Sequence, residues 1–232
     1  MKTAILMLIS AAAANATVSV HQLSADEIVA RMMERDQARR VSLGSYTWTS
    51  QYVLDNKERH AEMTVRWTRQ PDGTKRFEIV TEQGDGCVRD HVFHKLLESE
   101  VEASRPSLQE RNRLNTNNYS FQLEGMESIK GRLAYVLEIK PKNEAKFLTK
   151  GRVWVDAEDY AVVQMEGSPS KKPSFWVNSV RYVQTFEKTG DFWLASSNRS
   201  VTEAKLFGKA EMVITHFDYS LTTLQAALRT SE

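Results

Sequence analysis

The sequence predicts a mainly β, α+β fold: a curved antiparallel sheet of ten or eleven strands, its concave side covered by an N-terminal helix and short central helices. Three observations predict it. From Tyr46 onward apolar and polar residues alternate with a period of two through most of the chain. Turn signals such as Pro71-Asp72-Gly73, Lys130-Gly131 and Lys188-Thr189-Gly190-Asp191 recur too closely to leave room for the crossover helices that parallel pairs need. The strands are rich in aromatic and aliphatic residues on one face, which requires a cover, and helical patterns occur only near the N-terminus and between His94 and Asn118.

The chain opens with one basic residue, Lys2, an apolar run from Ala4 to Ile9 that continues into Ala11 to Ala14, and a small-x-small site at Ala14-Asn15-Ala16. This reads as a secretory signal peptide over 1–16, with a single domain over 17–232. The only cysteine, Cys87, lies far from the cleavage site, so no lipid anchor is expected, and one cysteine forms no internal disulfide. No later stretch approaches the roughly 18 apolar residues of a membrane helix. The expected location is therefore the periplasm, in soluble form. Hydrophobic residues make up 41% and charged residues 26%, with a formal net charge of +1. Such a balance offers no basic excess to neutralise a phosphate backbone, so nucleic acid is not expected as a partner.

Ser24-Ala25-Asp26-Glu27 is a capping box that opens an amphipathic helix ending near Val41, with Ile28, Val29, Met32 and Met33 as its apolar stripe. Strand patterns follow at Tyr46 to Leu54, Ala61 to Thr68 and Arg76 to Thr81, a three-stranded meander. A further short strand is expected at Val88 to Phe93. The polar excursion from His94 to Asn118 holds helix formers over Lys95 to Ala103 and a second capping-box pattern at Ser107-Leu108-Gln109-Glu110. Alternation resumes at Tyr119 to Leu123 and Leu133 to Ile139, with Pro141 ending the strand. Arg152 to Val155 and Ala161 to Glu166 flank Asp156-Ala157-Glu158-Asp159-Tyr160, the form of a hairpin bounded by Gly151 and Gly167. The last strands are expected near Trp176 to Phe186, Phe192 to Glu203 and Ala210 to Tyr219.

Chemistry-bearing residue types are sparse. Cys87, His91 and His94 have metal-ligand side chains, but on a strand Cys87 and His91 would share a face while His94 points away, and no fourth ligand is near. The acidic cluster Asp156, Glu158 and Asp159 occupies a turn, where Asp is favoured for backbone reasons. No G-x-S-x-G elbow, G-x-x-x-x-G-K-[ST] loop or G-x-G-x-x-G turn occurs. No catalytic residue, metal or cofactor is expected, and the protein reads as a non-enzyme.

The signal peptide, the capped helix running into Tyr46 to Leu54, the segment from Leu123-Glu124-Gly125 through Gly131-Arg132 to Leu137, and above all Gly151 to Gly167 resemble the LolA/LolB-like family of outer-membrane lipoprotein-sorting proteins. The resemblance implies a curved antiparallel half-barrel with helices plugging its concave side and a hydrophobic pocket for lipid. The in-phase residues Trp48, Tyr52, Met63, Val65, Trp67, Phe77, Ile79, Leu123, Tyr135 and Leu137 are the candidate lining of that pocket, plain core residues being the alternative. Each buried methylene is worth about 0.8 kcal/mol, so a long acyl chain would gain on the order of 10 kcal/mol before ordering costs. Such a carrier would be a monomer that takes a lipid or acylated lipoprotein and exchanges it with membrane-bound donor and acceptor proteins. The alternative on the same fold is an envelope sensor or protein-interaction module.

Overall fold

The computed structural model describes residues 23–172, 177–205 and 208–223. The signal peptide read over 1–16 and Trp176, expected to begin a strand, lie outside the described residues. Helix α1 (Ala25–Ser42) starts where the capping box puts it: Ser24 Oγ accepts from the Glu27 N–H, and the Glu27 carboxylate accepts from the Ser24 N–H at 2.8 Å. Its face of Ile28, Val29 and Met32 is buried.

Ten strands form one antiparallel sheet: β1 (Leu43–Asp55), β2 (His60–Arg69), β3 (Lys75–Gly84), β4 (Tyr119–Ile129), β5 (Arg132–Pro141), β6 (Thr149–Asp156), β7 (Val162–Pro169), β8 (Val177–Thr189), β9 (Phe192–Ala204) and β10 (Gly208–Thr223). Across the sheet the order is β3, β2, β1, β10, β9, β8, β7, β6, β5, β4, so β1 pairs with β10 and the edges are β3 and β4. The meander is thus continued by β10, the last strand among the described residues.

Between β3 and β4 lie α2 (Gly86–Val88), a π-helical turn (Arg89–Phe93), α3 (His94–Ala103) and α4 (Pro106–Asn112). The strand expected at Val88 to Phe93 is therefore helical. The apolar residues of this segment, Val88, Val92 and Phe93, recur at helical rather than strand spacing, and the Asp85 carboxylate caps the Val88 N–H at 2.9 Å while Arg59 holds Asp85 at 3.0 Å, which starts a helix here. Phe93 and Leu97 are then buried from one helical face. The capping box expected at Ser107 to Glu110 is also absent. Pro106 takes the first helical position and keeps Arg105 extended, so the helix starts earlier, without a side-chain cap. Glu110 is used elsewhere, by Arg113 at 3.0 Å and Asn115 at 2.8 Å.

The register gives the geometry of the concave face. One row crosses β2 to β4 through Met63, Tyr52, Ile214, Asn198, Gln184, Met165, Val153, Leu137 and Leu123. The next runs through Ala61, Leu54, Met212, Ser200, Tyr182, Gly167, Gly151, Ile139 and Phe121. From β2 to β4 neither row contains an Asp, Glu, Lys, Arg or His; on β3 the first row ends at Glu82, opposite Met63 and bonded to His94. Gly151 and Gly167 face each other across β6 and β7 because the strands approach too closely for side chains: a Cβ on Gly167 would lie 2.3 Å from the Lys150 carbonyl oxygen, and one on Gly151 would lie 2.1 Å from that of Glu166. The two glycines that bound the hairpin in the sequence are thus required by backbone contact.

Gly167→Ala is expected to cost about 1–3 kcal/mol, since backbone rather than a flexible side chain must move. Urea unfolding measures this, and an unchanged midpoint would refute the close approach.

Candidate functional site

Two separate apolar clusters lie on the concave face. The first joins Trp48, Tyr52, Met63, Val65 and Trp67 of β1 and β2 to Val88, Phe93 and Leu97 of the helical excursion. The indoles of Trp48 and Trp67 stack at 5.7 Å, and Tyr219 of β10 stacks on Trp48 at 6.0 Å. The second joins Leu137, Ile139, Val153 and Val155 to Ile28, Val29 and Met32 of α1. A third cluster, around Val136 and Trp154, lies on the opposite face of β5 and β6, where Arg152 covers the Trp154 ring and Glu127 accepts from its N–H at 2.8 Å.

The ten residues proposed from the sequence are divided between the first two clusters. Trp48, Tyr52, Met63, Val65 and Trp67 are buried in the first, and Ile79 packs half-buried against it. Phe77, on the edge strand β3, is 37% exposed while touching Trp67 with ring centroids 5.5 Å apart. Leu137 is buried in the second, with Leu123 and Tyr135 half-buried around it. They do not form one continuous lining.

Between the clusters, on β7 to β10, lies a stretch that the sequence pattern did not single out. Met165, Tyr182, Gln184, Asn198 and Met212 are half-buried there. The Asn198 carboxamide donates to Gln184 Oε1 at 2.8 Å, and the Tyr182 hydroxyl is bonded to Thr149 Oγ1 and to Met165 Sδ at 3.8 Å. Two residues beyond Ile214 on β10, the His216 ring nitrogen Nδ1 is 2.8 Å from the buried Ser50 hydroxyl. Lys75 of β3 and Glu100 of α3 form an ion pair in this quarter of the face, with the Lys75 ammonium 5.7 Å from the Trp48 ring centroid. Burial alone would lower the Lys75 pKa, but Glu100 reverses this, and Lys75 in turn holds Glu100 below the usual carboxylate range. Burial pushes His216 down to about 4, the Glu100 carboxylate opposing and the Lys75 ammonium assisting.

The acidic hairpin turn is a structural hub. Asp156 is 1% exposed; its carboxylate accepts from Arg132 Nε at 2.6 Å and Nη2 at 2.8 Å and from the N–H groups of Glu158 and Asp159. Burial alone would raise its pKa, but these donors hold the carboxyl below the usual range. Arg39 of α1 donates to the carbonyls of Asp159 and Tyr160, and Lys188 and the Trp193 N–H both reach the Asp159 carboxylate. The turn therefore fastens α1 to β5, β8 and β9. A cavity of about 310 Å³ opens beside it, lined by Arg35, Arg39, Lys188, Glu158, Asp159, Asp191 and Phe192 among others. Its walls balance three cations against three anions.

Cys87 and His91 lie on the helical excursion rather than on a strand, and His94 Nε2 is 2.8 Å from Glu82. Among the described residues no three His, Cys, Asp or Glu side chains are grouped to hold a metal, and no helix is long and apolar enough to cross a membrane.

No family model and no curated protein matches the chain. Among solved structures it is similar to a LolA superfamily protein from Nitrosomonas europaea, at 14% identity and a TM-score of 0.46, over 88% of this chain and 96% of that one. It is also similar to a DUF1329 family protein from Desulfovibrio piger, at 13% identity and a TM-score of 0.45, over 86% and 94%. A domain from Vibrio parahaemolyticus named for outer membrane lipoprotein sorting matches at 15% and 0.45, over 85% and 93%.

Two enclosed titratable groups, His216 and Asp156, make stability depend on pH. The unfolded His216 ring takes a proton below about pH 6.5 and the folded ring only near 4, so its contribution is full above pH 7 and is lost as pH falls through that window. In urea titrations the wild type should lose roughly 3 kcal/mol more than His216→Gln between pH 7 and pH 4; parallel curves would refute a buried neutral imidazole. Asp156 has the acid-side behaviour of a depressed carboxylate, with stability present above its unfolded pKa and lost as pH falls through the lower folded value. The cost of Asp156→Asn is therefore expected to be largest near neutrality and to shrink below about pH 4, and a cost independent of pH would contradict the assignment.

Proposed function

We propose that this protein is a non-enzymatic carrier or binding protein for lipid or for the acyl chains of lipoproteins, working in the periplasm in the sorting of outer-membrane lipoproteins. The observation that carries this reading is the concave face: two rows crossing nine strands without an ionisable Asp, Glu, Lys, Arg or His, covered by helices at both ends and half-buried between them. The apolar parts of this face, where they remain half-buried, gain free energy from an acyl chain laid on them. Trp48, Tyr52, Met63, Val65, Trp67, Phe77, Ile79, Leu123, Tyr135 and Leu137 then serve as the walls, the buried ones setting its shape and the half-buried Ile79, Leu123 and Tyr135 bordering the ligand. The sequence resemblance and the name of the Vibrio domain support the same cargo class. Loading and release would proceed by exchange with membrane-bound donor and acceptor proteins, since transfer between apolar surfaces needs no chemical step.

A second reading, an envelope sensor or protein-interaction module, is favoured by one observation: at the β1–β2 end the face is already filled by Val88, Phe93 and Leu97. Native mass spectrometry of the exported protein separates the two. The carrier reading predicts co-purified lipid or acylated peptide that delipidation removes, whereas a reproducibly empty protein with a bound polypeptide would overturn it.

A further inference from the structure

Resting on the carrier reading, we infer that the ligand is a two-armed lipid joined by an uncharged ester or amide linkage, and that the carboxamides of Gln184 and Asn198 bind that linkage. In the two concave rows the polar side chains without an aromatic body fall on β8 and β9 alone. Gln184 stands opposite Asn198, and Tyr182 opposite Ser200. On one side the first row continues into Ile214 and Tyr52, and on the other into Met165 and Val153. The face is thus apolar, then polar and neutral, then apolar again.

This pattern selects a ligand. A single acyl chain crossing the face would have to desolvate the amide strip without compensation, which costs free energy for every polar group left unpaired. A charged headgroup would find no counterion in either row, the ion pair of Lys75 and Glu100 being already satisfied within itself. An ester or amide carbonyl between two hydrocarbon arms meets both demands. Each carboxamide has two N–H donors; Asn198 gives one to Gln184 Oε1 and Gln184 gives one to the Thr185 carbonyl at 3.4 Å, which leaves one N–H on each group for a ligand carbonyl. Both side chains are half-buried, open enough to be reached and enclosed enough for the hydrogen bond to count.

The test uses the whole mature protein with two probes, 1,2-dioctanoylglycerol and its 1,2-dioctyl ether counterpart, which lacks the carbonyls. Isothermal titration of the wild type is expected to show about tenfold tighter binding of the ester, as one or two hydrogen bonds provide. In Gln184→Leu/Asn198→Leu, with its fold checked by circular dichroism, the two probes should bind alike and the ether should bind no more weakly than to the wild type. The wild type's preference tests the idea even if the variant does not fold. Equal binding of ester and ether by the wild type, or a preference kept by the folded variant, would overturn the linkage site while leaving the carrier reading intact. Binding of neither probe would overturn both.

Discussion

The structure depends on one constraint: a ten-stranded sheet with an apolar concave face has more surface than a single helix can cover. The chain meets it twice. Helix α1 lies over β4 to β7 through Ile28, Val29 and Met32, and the helical excursion between β3 and β4 lies over β1 and β2 through Val88, Phe93 and Leu97. The strand order makes this division necessary. Because β1 pairs with β10, the N-terminal meander and the central hairpins are held at opposite ends, with β8, β9 and β10 between them. The half-buried middle, on β8 to β10, is a product of topology.

The covers are fastened by polar contacts at their ends. Arg39 of α1 is held by carbonyls of the hairpin turn that Asp156 organises, and Arg113 beyond α4 reaches Asp36 of α1 at 3.3 Å. The ion pair of Lys75 and Glu100 ties α3 to the edge strand. Of these, only Asp156 is almost fully enclosed, and it has four donors. The exposed pairs add little each, so the positions of the helices rest mainly on packing, with the hairpin turn as the one strong polar anchor.

Much of this was legible in the sequence because period-two alternation is a direct imprint of a sheet with one buried face. It identified Trp48, Tyr52, Met63, Val65, Trp67 and Leu137 as inward-facing, and the capping box placed α1. It could not separate them into two clusters, because that depends on pairs such as Tyr52 with Ile214 that are remote in sequence. The strand expected at Val88 to Phe93 had no alternation behind it: Val88, Val92 and Phe93 recur at helical spacing, and the Asp85 cap starts the helix. The central strip was invisible for a different reason. Gln184, Asn198 and Ser200 are polar positions within the strand patterns, and only the register places them in the concave rows.

The central claim is that an acyl chain lies on the concave face and not on the apolar cluster behind the sheet. The tryptophans offer a direct measurement, since Trp48 belongs to the concave cluster and Trp154 to the cluster on the opposite face. Variants in which Trp48 or Trp154 is the single tryptophan left of the chain's five would be titrated with a palmitate brominated along its chain, whose bromines quench fluorescence on close approach. The account predicts saturable quenching of Trp48 with Trp154 unaffected. Quenching of Trp154 instead, or equal quenching of both, would contradict it.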